Sequence, residues 1–307
     1  MVAWETIVEA TAASVLVGGL VYASIADWRT REVADELWVL LAGIGTVLGA
    51  FLVSPGGLLP LTLWIVAAAL VLEHLLPWDV RVERVHPSLP GYIELAVYGG
   101  VLALLVYTGV VYGVSNAGLP VAVIAVYVTV ILARVLFETG ILYGGADAKA
   151  LMIAGILVPV FSTPVVAVPA TAEGILALYP FSISVLMNAA LFALAVPIGL
   201  ALRNARKGEF VFPRGFTGYR IPVSELPHQY VWLRDPLFSR DLTEEERAVS
   251  TTEEDNALRL RQMRELQAKG VDRVWVTPQI PFVVLLSAGA IAALLVGNVL
   301  FDLFALL

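Results

Sequence analysis

The chain has 307 residues, 59% of them hydrophobic and only 15% charged, with a formal net charge of −7. It contains no cysteine, which excludes disulfides, thiolate metal sites and cysteine nucleophiles together. Its histidines, His74, His86 and His228, are too scattered for a metal cluster, and neither a phosphate-cradling glycine loop nor a basic run interleaved with aromatics is present, so no metal, cofactor or nucleic-acid partner is expected.

Apolar runs of about 20 residues, enough to cross a ~30 Å hydrocarbon core at ~1.5 Å per residue, recur along the sequence. They fall at 6–26, 37–53, 58–76, 93–113, 119–137, 149–168, 180–202 and 281–304. The first starts close to Met1 but has no basic segment before it and is followed by further spans, so it reads as a true span rather than a cleavable signal. Glu73 and His74 mark the end of the third. The stretch 203–279 alone has soluble composition. Within it, 208–223 (GEFVFPRGFTGYRIPV) reads as a strand pair with an intervening turn. Thr251 and Glu254 form a capping box that opens an amphipathic helix ended by Gly270, and RVWVTP reads as a further strand. The expected fold is an all-α polytopic membrane protein of about eight transmembrane helices, with a small α/β cytoplasmic domain between the seventh and eighth. The expected division is 1–202 for the bundle, 203–279 for the cytoplasmic domain and 280–307 for the last helix.

Short loops set the orientation. Arg29 and Arg31, Arg81 and Arg84, and Arg134 and Lys149 occupy alternate connections, while 54–57, 114–118 and 169–179 have no Lys or Arg. The N-terminus is therefore expected outside and the basic loops in the cytoplasm, together with the remaining basic residues between Arg203 and Arg273.

Two acids stand out against this apolar background. Asp27 ends the first run in YASIADWRTREVADELW, and Asp147 opens the sixth in YGGADAKAL. The parity of the spans puts both at the cytoplasmic boundary. Ionisable groups at that depth are expensive and become functional candidates when they can meet. Two carboxylates in reach of each other share a proton, and such a pair can activate water and protonate a departing amine. Gly144 and Gly145 would allow a tight turn and the close approach of an extended substrate. A plainer reading pairs Asp27 with Arg31 and makes Asp147 a helix cap, with Trp28 and Tyr143 as interfacial anchors.

These two motifs resemble those of the type IV prepilin peptidases and preflagellin (prearchaellin) peptidases, the polytopic GxGD aspartyl proteases, and the match is nearest the archaeal branch. The resemblance rests on DWRTREVADELW from Asp27 and on GGADAKAL from Gly144. It implies that Asp27 and Asp147 are the catalytic dyad, that Gly144 and Gly145 are the motif glycines, and that Lys149 plays a supporting part. Ala146 stands where bacterial members have the second motif glycine, and Val33-Ala34-Asp35 replaces their Ile-Pro-Asn. Four apolar runs separate the helices of the two aspartates, an extra pair compared with short archaeal members. The absence of a cysteine-rich element argues against the methyltransferase activity of many bacterial enzymes.

The family implies precursor proteins of prepilin or prearchaellin type as partners, each with a short basic leader ahead of a membrane-seated apolar helix. Glu32, Asp35, Glu36 and Glu138 add negative charge beside the candidate site and would attract such a leader. Two other readings compete. One is a presenilin-like intramembrane protease, whose first aspartate would sit deeper in its helix. The other is a non-enzymatic transporter or assembly scaffold, although no internal repeat is visible.

Overall fold

The computed structural model describes residues 4–75, 121–142, 144–160, 180–233 and 252–305, with four isolated positions between 96 and 103. In chain order the elements are α1 (Trp4–Thr30), α2 (Asp35–Val53), α3 (Leu58–Leu75), α4 (Val121–Glu138), α5 (Gly145–Leu157), α6 (Phe181–Ala193), α7 (Ala195–Arg206), β1 (Tyr219–Pro222), β2 (Val231–Leu233), α8 (Thr252–Ala268), β3 (Arg273–Pro278), α9 (Phe282–Leu295) and α10 (Val299–Ala305). They divide into two compact units, Met1–Ala190 with Phe282–Leu307, and Leu191–Pro281.

In the first unit, apolar composition forces helix even where local propensity is poor. The α4 sequence VAVIAVYVTVILARVLFE is rich in β-branched residues, which disfavour helix in water. In hydrocarbon every backbone N–H and C=O must find its partner within the segment, and the helix wins. The centre of the unit is α5. Every residue from Asp147 to Leu157 is buried except Lys149, and α5 packs on α1, α2, α3, α4 and α9. A helix that is apolar all round belongs inside a bundle. Its neighbours turn Leu20, Trp38, Val71, Val130 and Leu286 into the same core, while Tyr22, Leu40, Phe51, Ile65 and Ile131 remain exposed on the outside, where lipid would cover them. At the end of α1, Arg31 adopts a left-handed φ of 63° and its N–H donates to the Asp27 carbonyl at 3.0 Å. The chain then reverses into α2, whose first turn carries Asp35 and Glu36 at the positive end of the helix dipole.

Five segments are long and apolar enough to cross a membrane: Trp4–Thr30, Asp35–Gly56, Leu58–Leu75, Val121–Glu138 and Phe181–Arg206. Five of the eight expected spans are thus present among the described residues. The run 93–113 lies almost wholly outside them, as does the second half of 149–168, along with Arg81, Arg84, His86, Tyr143 and Thr251. The run 281–304 is not one helix but two, α9 of 14 residues and α10 of 7. The break is made by Gly297, with φ 102°, and Asn298, whose Oδ1 accepts the N–H groups of Leu300 and Phe301 at 3.1 and 3.2 Å. Buried Asn188 of α6 closes the gap. Its Nδ2 donates to the Gly297 carbonyl at 3.0 Å and its Oδ1 accepts the Val299 N–H, also at 3.0 Å. The run 180–202 is likewise interrupted at Leu194, because Pro197 has no N–H to offer the carbonyl of Ala193.

The second unit begins with α7 and contains a three-stranded antiparallel sheet of order β1-β3-β2, with Tyr219 opposite Val276 and Val231 opposite Pro278. Ile221, Val223, Leu226, Val231, Leu266, Val274 and Val276 form its core. The helix and the last strand read from sequence are present as α8 and β3, and Gly270 ends α8 in a left-handed conformation, φ 69°. The strand pair expected over 208–223 is not. Only β1 forms there, and it pairs with β3. The preceding residues fold back on α7 because buried Asn204 donates from Nδ2 to the carbonyls of Gly215 and Gly218, at 2.8 and 2.7 Å, and Arg214–Phe216 coil into a 3₁₀ turn. β2, a short VWL strand, completes the sheet without having been anticipated.

Asn188→Leu leaves the Gly297 carbonyl and the Val299 N–H without their side-chain partner, at roughly 1–3 kcal/mol for each orphaned group. Thermal unfolding of the purified protein in detergent is expected to show a clearly lower Tm, whereas the same change at exposed Thr11 should leave it unmoved.

Candidate active site

The helices that carry the two acids singled out by sequence, α1 and α5, pack on each other. Asp27 lies in the last turn of α1, partly buried, and Asp147 is the third residue of α5, only 8% exposed. The carboxylates are close enough to act on each other electrostatically. Asp27 also feels the charge of Arg31 four residues on.

Asp147 is fixed by backbone rather than by side chains. The N-cap of α5 is Gly144, not the aspartate, and Asp147 at the third position reaches back to the Gly144 N–H as the acid of a capping box does. A second backbone donor comes from another helix, the N–H of Val283 in the first turn of α9. The carboxylate therefore also sits at the positive end of the α9 dipole. Gly144 has no room for a side chain. A Cβ there would lie 2.7 Å from Asp147 Oδ2 and 3.2 Å from its Cγ, so the first motif glycine is required by the carboxylate itself. At Gly145 a Cβ would meet nothing within 4 Å, and that side of the turn is open.

The start of α9 is held against α1 by a polar contact one turn away. Ser24 Oγ and Ser287 Oγ are 2.6 Å apart, and Ser287 Oγ lies 2.9 Å from the carbonyls of both Leu20 and Val283. Ser24 precedes Asp27 by one turn on α1, and Ser287 follows Val283 by one turn on α9. The clamp thus sets the spacing of the elements that carry Asp27 and the second donor to Asp147. Neither serine nor the Val283 N–H was identified from sequence. Ser287 had a visible signal, as the single polar side chain in FVVLLSAGAIAALL, but a backbone N–H has none.

Lys149, one position after Ala148 in the same helix, forms an ion pair with Asp35 at the start of α2. This ties the first turn of α5 to the chain just beyond Asp27. Of the four acids expected to attract a basic leader, Asp35 is thus engaged by Lys149 and Glu138 by Arg134, at 2.7 Å on its own helix. Glu32 and Glu36 are exposed around the start of α2. Trp28 is 61% exposed beside Asp27. Among the described residues no group of three or more His, Cys, Asp or Glu side chains is placed to hold a metal ion.

Two comparisons with known proteins bear on this helical bundle and its two acids. Residues 212–299 match the model of archaeal peptidase A24 C-terminus type II, a segment that runs from the second unit through α9. The chain is also similar to a preflagellin peptidase of Methanocaldococcus jannaschii, 25% identical over 225 residues that cover 69% of this chain and 86% of the relative. The two matches support an archaeal membrane protease of the prepilin and preflagellin peptidase type.

Gly144→Ala forces the Asp147 carboxylate out of its place and is expected to lower peptidase activity by roughly 10²-fold, while Gly145→Ala costs far less. Exchanging the charges in Lys149→Asp with Asp35→Lys should recover activity lost in either single variant, measured as cleavage rate in membranes with matched protein levels.

Proposed function

We propose that the chain is an aspartyl endopeptidase that removes a short basic leader from precursors of prepilin or prearchaellin type, with Asp27 and Asp147 as its catalytic pair. The observation that carries this reading is that two carboxylates, from helices far apart in sequence, lie close enough to act on each other electrostatically. The match to archaeal peptidase A24 and the similarity to a preflagellin peptidase support the substrate class.

The chemistry follows from one shared proton. Two adjacent carboxylates resist joint ionisation, so the working form holds one proton between them. The ionised member takes a proton from water as the water oxygen adds to the scissile carbonyl carbon, and the protonated member gives its proton to the carbonyl oxygen. Collapse of the tetrahedral species breaks the C–N bond, the departing amine leaves with a proton from the pair, and a hydroxyl of the gem-diol returns its proton to the pair as the new carbonyl forms. The pair titrates jointly, so the base is a property of both residues. The N–H groups of Gly144 and Val283 act on the Asp147 carboxylate, and the open side of Gly145 leaves space for an extended substrate backbone.

The alternating basic loops orient the N-terminus outside and the pair at the cytoplasmic face. There the dyad would meet the junction between a basic leader and an apolar helix, without unwinding the middle of that helix. Exposed Glu32 and Glu36 supply negative charge for the leader. In this reading Lys149 is a positioning residue.

Asp27→Asn and Asp147→Asn are each expected to reduce cleavage of a co-expressed archaellin or pilin precursor by roughly 10²–10⁴-fold, with unchanged membrane abundance. Processing retained by either variant would remove the dyad assignment. Mass spectrometry of the product should place the cut at the leader junction, and a cut inside the substrate's membrane span would point to an intramembrane protease instead.

A further inference from the structure

In the second unit, the end of α7 and the loop after it form a surface that neither a soluble face nor a packed core explains. The segment Phe181–Arg206, which α7 completes, is long and apolar enough to cross a bilayer, and Ile198 and Leu202 are exposed on α7. The loop does not swing free of this helix. Asn204 Nδ2 donates to the carbonyls of Gly215 and Gly218, and the Glu209 N–H donates to the Asn204 carbonyl at 2.9 Å. The guanidinium of Arg203 lies 3.8 Å over the centre of the Tyr219 ring.

Held in this way, the loop presents aromatic rings outward. Phe216 packs edge-on against both Phe210 and Phe212, with ring centres 5.3 and 6.3 Å apart, yet Phe212 is 78% exposed and Val211 49%. Exposed cations surround them: Arg206, Lys207 and Arg214. The acid in the loop, Glu209, is neutralised by its ion pair with Arg273. The surface is therefore aromatic and cationic, and continuous with an apolar segment of membrane-spanning length.

We infer that this loop is seated in the headgroup layer of an anionic bilayer, with the phenylalanine cluster at the level of the upper acyl chains and the three cations on lipid phosphates. Aromatic side chains favour the membrane–water interface, and basic residues beside a span are drawn to anionic headgroups. The place where α7 ends puts the loop at that depth. A protein partner would have to cover a surface that the bilayer already meets.

The absence of native cysteine makes the test direct. In the full chain, reconstituted in lipid nanodiscs, an environment-sensitive fluorophore is attached at Phe212→Cys or Val211→Cys, with Ser224→Cys as an exposed reference in the same unit. Brominated phosphatidylglycerol is expected to quench the label at 212 and 211 several-fold more than at 224. It should also quench more than brominated phosphatidylcholine, and this preference should vanish in the triple variant R206Q/K207Q/R214Q. Labels at 212 and 211 that are quenched no more than the one at 224 would overturn the membrane seat. Equal quenching by the two lipids, or a preference that survives the triple substitution, would overturn the role of the cations.

Discussion

A buried carboxylate among apolar helices is the constraint on which the first unit depends. Taking such a group from water is costly unless donors replace its hydration. Asp147 receives them from the Gly144 N–H at the start of its own helix and from Val283 at the start of α9. The demands multiply from there. Gly144 must lack a side chain, α9 must begin at a fixed height, and α1 must be held to α9 with Asp27 one turn from the Ser24–Ser287 contact. The burial of α5 by five neighbouring helices keeps that arrangement in place.

Lipid gives little reason for one apolar helix to prefer another, so relative heights in such a bundle are set by close packing and a few polar contacts. The bundle uses buried, uncharged polar groups for this purpose. Thr129 and Ser182 hydroxyls meet at 2.6 Å between α4 and α6, Asn188 spans the interruption between α9 and α10, and Trp64 Nε1 donates to the Thr46 carbonyl at 2.9 Å between α3 and α2. None carries a formal charge. Each links two elements of the bundle across their interface.

What sequence revealed follows from what each signal measures. Hydropathy locates apolar segments, and Asp27 and Asp147 are conspicuous because charges interrupt those segments at their ends. Pairing over long distance leaves no such trace. Nothing in the residues around Val283 indicates that its N–H faces a carboxylate, and Asp35 looked like a charge available to a substrate until Lys149 was found beside it. The misreading of 208–223 has a similar cause. Its alternating apolar residues and glycines resemble a hairpin, but Asn204 from the preceding helix claims the carbonyls of Gly215 and Gly218 and bends the segment away. Gly297-Asn298 was a local break signal overlooked within an otherwise continuous apolar run.

The clamp between Ser24 and Ser287 joins the first helix to one that leaves the ribosome only after the whole second unit has been made. Throughout most of translation Asp27 and Asp147 are already in the chain, yet Asp147 lacks its second donor and α1 lacks the neighbour that fixes its height. The site is completed at the close of biosynthesis. A nascent or truncated chain ending before Phe282 carries both acids without the contacts that α9 brings to them.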